Sequence, residues 1–370
     1  MTHRDESALS TLSAMASLVT PWVLRVAVTL RLPDLIGRAT VDVDELAVRA
    51  GANPDALRRV ARHLVHCGVL RHPAPDRLEL TALGHLLRSD HPARLVDALD
   101  QANPFNRREA AAVARLLDAV RDGRPVWAPR QGHEREGHER HGHERQGHGR
   151  QGHGRQGHDL WSALDHDPEL AAGFDQALAG AADQLTEGIA RAFDWESVAH
   201  VVDVGGGTGR VLAALLTAHP RLRGTLVDLP PMAEQGRVRF AGRGLAERVA
   251  VSGQSFFDPL PRGGDVYLLA NVLHCWNDED SRKVLGQCVA AAPSHALVVV
   301  VDQVLPEDPA DPAYGALVEI DLGLLVLLGT ALRDQERFRL LGESAGLTLR
   351  EATRIAPHTV SSLLTYTIDD

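Results

Sequence analysis

The segment 200–209, HVVDVGGGTG, narrows the folds open to this chain more than any other stretch. His200 to Val204 reads as a short buried strand carrying an acid, Asp203, and Gly205, Gly207 and Gly209 follow directly. Residues 210–219 (RVLAALLTAH) read as a helix, and 224–228 as a second strand ending on Asp228. A glycine turn between strand and helix lets a ligand come against the backbone, and an acid at the tip of the next strand takes two ribose hydroxyls. Such geometry binds a nucleoside. The dinucleotide fingerprint G-x-G-x-x-G holds a pyrophosphate on a helix N-terminus. Here the pattern is D-x-G-x-G-x-G, with Asp203 read as lying at the mouth of the loop. A carboxylate there repels a pyrophosphate but pairs with an ammonium or sits near a sulfonium. The pattern therefore suits S-adenosylmethionine better than NAD.

The rest of the C-terminal half continues the alternation. Strands are expected at 248–252, 265–270 and 296–302, with helices at 232–243, 279–292, 316–328 and 334–345. This predicts an α/β fold with a mostly parallel sheet and ligands at the carboxyl ends of its strands. Segments 347–351 and 361–367 are placed as an antiparallel hairpin closing the sheet.

Residues 9–94 form a separate unit. An apolar stretch at 11–30, interrupted by Pro21, is greasy for a surface helix, which points to burial in a partner subunit. Helices at 43–49 and 55–67 with extended pieces at 68–71 and 77–80 make a winged-helix pattern. Residues 1–100 carry 12 Arg and no Lys against 12 Asp and Glu, so there is no basic footprint for DNA and a packing or dimerisation role is preferred. The net charge of −10 likewise argues against nucleic acid and an anionic membrane surface. No apolar run reaches the length of a membrane span, and no signal pattern opens the chain. Three cysteines far apart, Cys67, Cys275 and Cys288, form neither a disulfide framework nor a zinc motif, so a cytoplasmic enzyme is expected.

Between the two halves lie six pentapeptides at 130–159, from RQGHE to RQGHD, with seven histidines and no aliphatic or aromatic residue. A segment without apolar side chains buries no core, and a disordered surface insert is expected. Its five-residue period puts the imidazoles on no single helix face, and the neighbouring glycines oppose a fixed site, so no metal site is assigned.

The runs VVDVGGGTG, LVDLP, SFFDPLP, DVYLLANVLHCWNDEDSRKVL and VVVVDQVLP, in this order, resemble the small-molecule O-methyltransferases. These are S-adenosylmethionine-dependent enzymes of plant phenylpropanoid and actinobacterial polyketide pathways. The resemblance covers nearly all of the chain except the insert. It implies a Rossmann-like class I methyltransferase domain with a seven-stranded sheet over 196–370. It also implies a mainly helical winged-helix dimerisation domain over 1–100, a helical linker and pocket region over 101–195, and a homodimer acting on a small aromatic substrate. Gly205 would pass the methionyl end of the cofactor, with Asp203 and Gly207 in the same turn, and Asp228 would hold the ribose. The family's Gly-Asp before its Phe-Phe pair is Gln254-Ser255 here, so Ser255 and Phe256 stand where the adenine is contacted. A lysine common in plant members is Ala270.

His274 sits at the family's base position. A phenol of pKa near ~10 attacks a sulfonium methyl well only as phenoxide, and an imidazole near ~6.5 can accept that proton. The bland alternative is a histidine capping the helix that opens near Asn277. Asp302 ends a strand where plant relatives carry a glutamate that orients the histidine, and whether the shorter side chain reaches is left open. A second family glutamate is replaced by Leu332. Cys275 and Trp276 read as packing residues, and Asp321 as solvated or capping although it matches a family aspartate. Met15 and Trp22 either line the partner's pocket, as the resemblance implies, or pack in the dimer. Two other functions stay open: a relative that keeps the cofactor but hydroxylates or decarboxylates a polyketide, and a winged-helix ligand sensor.

Overall fold

The computed structural model describes residues 3–127, 158–355 and 359–369, and the chain divides into two units. One is Met1–Arg108 with Pro168–Ala181, the other Glu109–Asp167 with Ala182–Asp370. The histidine-rich insert lies outside the described residues, except its last two positions, which open the helix His158–His166.

In the first unit, the apolar stretch at 11–30 is helical and interrupted, falling in two helices, His3–Met15 and Val19–Thr29. The break falls before Pro21, which sits in the first turn of the second helix. Backbone N–H groups there have no intrahelical acceptor, so the missing proton costs little. Helices Val43–Arg49 and Pro54–His66 follow, capped by Asp42, which accepts from Asp44 N and Glu45 N, and by Asn53, which accepts from Ala56 N. Strand β1 (Val41–Asp42) adds a third member to the wing hairpin β2 (Leu70–Ala74) and β3 (Arg77–Leu80), in the order β1-β3-β2. Leu46, Leu57, Leu64 and Leu78 fill the core at 1% exposure or less. By contrast Leu12, Met15, Leu18, Val19 and Trp22 are all more than half exposed, an apolar row in sequence running from the first helix through the Leu18 bend into the second.

Within the linker region, residues 168–192 form two helices. Helix Pro168–Ala177 packs in the first unit, where Gly173 O accepts from Asn103 Nδ2 at 2.8 Å and Phe174 meets Phe105 edge-on at 5.0 Å. Helix Ala179–Ala192 runs on into the second.

The second unit is built on seven strands, β4 (His200–Val204), β5 (Arg223–Asp228), β6 (Val249–Gly253), β7 (Val266–Ala270), β8 (Leu297–Gln303), β9 (Leu347–Arg354) and β10 (Ser361–Ile368). Their order is β6-β5-β4-β7-β8-β10-β9. The first five are parallel, and β10 pairs antiparallel with β8 and β9. Runs such as VVVV in β8 are apolar on both faces because helices cover both. Val202, Tyr267, Val298 and Val300 pack toward helices Asp278–Ala291 and Gln335–Glu343, while Val201, Leu268, Val299 and Val301 pack toward helix Arg210–Ala218. This sheet order puts the carboxyl ends of β5, β4, β7 and β8 side by side.

Candidate active site

The chain leaves β4 through Gly205, Gly207 and Gly209, with φ of 71°, 58° and 71°, values that L-residues with side chains rarely adopt. Gly205 N donates to Val227 O at 2.8 Å, and Gly207 N donates to Asp228 Oδ2 at 2.8 Å, so the acid at the end of β5 organises the glycine turn. Its other oxygen accepts from Leu229 N at 2.7 Å. A methyl added to Gly205 would come within 3.0 Å of Val272 Cγ2 and 3.3 Å of Phe256 Cε1, so the turn, the β6–β7 loop and the segment after β7 converge there. Nothing lies within 4 Å of such a methyl on Gly207. Phe256, Phe257 and Trp276 form an edge-to-face cluster, Trp276 standing 5.7 Å and 5.0 Å from the two phenylalanines. Trp276 thus belongs to the wall beside the glycine turn as well as to the core. Ser255 Oγ accepts from Phe257 N at 3.2 Å and shapes this loop.

Asp203 is not at the mouth of the loop. Side chains alternate along a strand, so Asp203 shares the face of Val201 and is fully buried beneath Gly206, where an added methyl would lie 2.3 Å from its Oδ2. Neither carboxylate oxygen makes a well-formed hydrogen bond among the described residues. Burial, and then the charge of Asp228, push its carboxyl up to about 7 against the opposing pull of the Leu212 backbone amide.

Beyond β7 the backbone turns on Asn271, a non-glycine residue at φ 57°, and forms a single 3-10 turn, Leu273–Cys275. His274 lies in this turn. Its Nδ1 is 2.5 Å from Asp302 Oδ1, and its backbone N donates to Asp302 Oδ2 at 3.1 Å. Asp302 shares the β8 face of Val298 and Val300, its side chain is wholly buried, and it accepts a further bond from Gln303 N at 2.8 Å. The shorter acid therefore reaches the histidine. Burial works against a charged imidazole, but the neighbouring carboxylate of Asp302, with a smaller contribution from Cys275, outweighs it and raises His274 well above 6.5. The helix-capping alternative fails, because Asn277 caps Asp278–Ala291 by accepting from Asp280 N.

Asp321, inside helix Tyr314–Leu327, accepts from Leu332 N at 2.6 Å and so ties down the segment before Arg333; it caps no helix, because Asp334 caps Gln335–Glu343. Sequence reasoning missed Arg333, which is 3% exposed and donates to the carbonyls of Leu273 and Trp276, both at 2.8 Å. No periodicity or motif marked it, since its value lies in the carbonyls it meets in space.

Comparison with known proteins agrees with this construction. A family model for an O-methyltransferase dimerisation domain matches residues 12–90, and one for an O-methyltransferase domain matches 140–348. The chain is 39% identical to aclacinomycin 10-hydroxylase of Streptomyces purpurascens, over 91% of this chain and 84% of that one. It is 35% identical to 2,7-dihydroxy-5-methyl-1-naphthoate 7-O-methyltransferase of Streptomyces carzinostaticus, over 93% and 94%. A crystal structure of an O-methyltransferase from neocarzinostatin biosynthesis, in complex with S-adenosylmethionine and 2-hydroxy-5-methyl naphthoic acid, superposes with a TM-score of 0.77 at 35% identity, covering 96% of this chain and 98% of that one. A glycine turn ending on a strand-tip acid, a histidine in the turn after β7 paired with the buried Asp302 of β8, and the matches to both family models and to the curated relatives place this chain in the S-adenosylmethionine-dependent O-methyltransferase family.

Proposed function

We propose that this protein methylates a hydroxyl group on an aromatic secondary metabolite, with His274 as general base. One observation carries the assignment of the base: the His274–Asp302 pair stands at the carboxyl edge of the sheet, one turn from the residue that packs on Gly205. The residues present fit the cofactor. Gly205 and Gly207 leave backbone free of side chains, Asp228 offers a carboxylate at the strand tip for ribose hydroxyls, and Phe256 and Ser255 form the wall for the adenine. Asp203 lies beneath this floor, and its ionised form would favour the positive charge of the cofactor. S-adenosylmethionine supplies an electrophilic methyl on a sulfonium.

The chain's own residues do the rest. With Nδ1 donating its proton to Asp302, His274 presents Nε2 to take the proton of the acceptor hydroxyl, and Asp302 stabilises the imidazolium that results. The pair is largely shielded, with 13% of the His274 side chain and none of the Asp302 side chain exposed. The dimerisation match and the apolar row at Leu12 to Trp22 support a homodimer. No helix among the described residues is long and apolar enough to cross a membrane, and the three cysteines are free, which supports a cytoplasmic setting.

A second reading has its own support, since one relative at 39% identity is a hydroxylase. The discriminating experiment is turnover of hydroxylated naphthoates and anthracycline-like polyketides with methyl-labelled S-adenosylmethionine. Labelled methyl ether and equimolar S-adenosylhomocysteine support methylation; an oxygenated product without label transfer replaces it with the second reading.

A further inference from the structure

Arg333 lies between helices Tyr314–Leu327 and Gln335–Glu343, and its guanidinium is almost entirely engaged. Nη1 donates to Leu273 O at 2.8 Å, Nη2 to Trp276 O at 2.8 Å and to Ser281 Oγ at 3.1 Å, and Nε to Asp278 Oδ1 at 2.7 Å. Leu273 and Trp276 bracket His274. The main chain of Arg333 grips the other half of the pair: its carbonyl accepts from Leu305 N at 2.9 Å, within a parallel bridge to Val304, two residues beyond Asp302.

A three-residue 3-10 turn holds itself poorly, and its buried carbonyls need donors. Arg333 provides them in a planar fork that a lysine does not reproduce. His274 is bonded to Asp302 at two points, Nδ1 to Oδ1 and backbone N to Oδ2, and keeping both bonds requires the turn and the end of β8 to stay in register. We infer that Arg333 is a positioning residue that sets the register of His274 against Asp302, acting through the Leu273 and Trp276 carbonyls on one side and Val304–Leu305 on the other. This rests on His274 being the base, though the pairing itself is independent of any acceptor.

The sign of one measurement separates positioning from plain electrostatics. Asp302 and Cys275 are the titratable neighbours that act on His274, while Arg333 and Asp302 both act on the buried Tyr366 hydroxyl nearby. Removing a cation near His274 would by itself raise the imidazole pKa, whereas loosening the pair lowers it toward the ordinary value. The test is an NMR titration of the His274 Cε1 proton, assigned with His274→Ala, in the full chain and in Arg333→Gln and Arg333→Lys. It is run beside calorimetry with S-adenosylhomocysteine and the pH profile of kcat.

We expect the His274 pKa to fall in Arg333→Gln and less in Arg333→Lys, with kcat down about tenfold or more and S-adenosylhomocysteine affinity unchanged. A folded Arg333→Gln with an unmoved or raised His274 pKa overturns the inference. If Arg333→Gln does not fold, an unmoved pKa in Arg333→Lys does the same. Because the titration needs no acceptor, failure of the methyltransferase reading would show as absent turnover in the unaltered protein, with the pKa result standing apart.

Discussion

His274 carries a pH signature set by its carboxylate partner. The imidazole pKa is raised, so the competent neutral form, and with it kcat, grows as pH rises through a midpoint above 6.5. The linked stability runs the other way: the pair's contribution is complete below 6.5 and is lost as pH rises through the raised value. Asp302→Asn should move the kcat midpoint down toward 6.5 and slow turnover. His274→Ala should cost about 10²-fold or more in turnover while S-adenosylhomocysteine still binds in calorimetry; unchanged turnover would remove His274 from the reaction. Asp203 makes a different prediction. Between 3.8 and about 7 the folded chain keeps a proton on this acid that the unfolded chain has lost, so its burial erodes stability as pH rises through that window. Asp203→Asn should therefore melt higher than the unaltered protein at pH 8, by on the order of 1–2 kcal/mol, with the gap closing toward pH 4. It should also bind S-adenosylhomocysteine more weakly. Equal melting at both pH values would mean that Asp203 stays ionised at little cost.

At the scale of elements, the glycine turn is the piece with least freedom. Gly205 combines a left-handed backbone with Val272 and Phe256 packed against its Cα. Gly205→Ala costs ~1–2 kcal/mol of backbone strain and pushes a methyl toward the residue two positions before His274. Calorimetry should show S-adenosylhomocysteine affinity reduced about tenfold or more, since ~1.4 kcal/mol is one decade; full affinity would show that the turn has slack. Gly209 is a contrasting case in the same turn, because there a methyl would strike the Phe240 ring at 2.4 Å, deep in the core. Its substitution should appear in melting temperature before it appears in binding.

For the whole molecule, oligomeric state follows from the first unit. Leu18, at the N-cap of helix Val19–Thr29, is 82% exposed and Trp22 on that helix is 51% exposed, while the helix's other face is already in a core that includes Ala27 and Val28. Exposed apolar area of this kind is costly in water and is relieved by a second copy. Leu18→Glu with Trp22→Ala should convert a dimer to monomers in sedimentation equilibrium; an unchanged mass would place the interface elsewhere.

The sequence by itself determined the elements and their order. The alternation of β-branched runs with amphipathic stretches, the glycines after β4 and the acid ending β5 are local patterns, and backbone sterics read them the same way in any context. It also put His274 just after one strand and Asp302 at the end of another. Tertiary structure alone decided what those residues meet. Strand parity turned Asp203 beneath the glycine turn instead of toward its mouth, and brought Asp302 within 2.5 Å of His274. The loop between two distant helices delivered Arg333 to carbonyls 60 and 57 positions away, a contact that no period or spacing encodes. Long-range hydrogen bonds depend on how elements stack, and stacking is settled by the packed core as a whole.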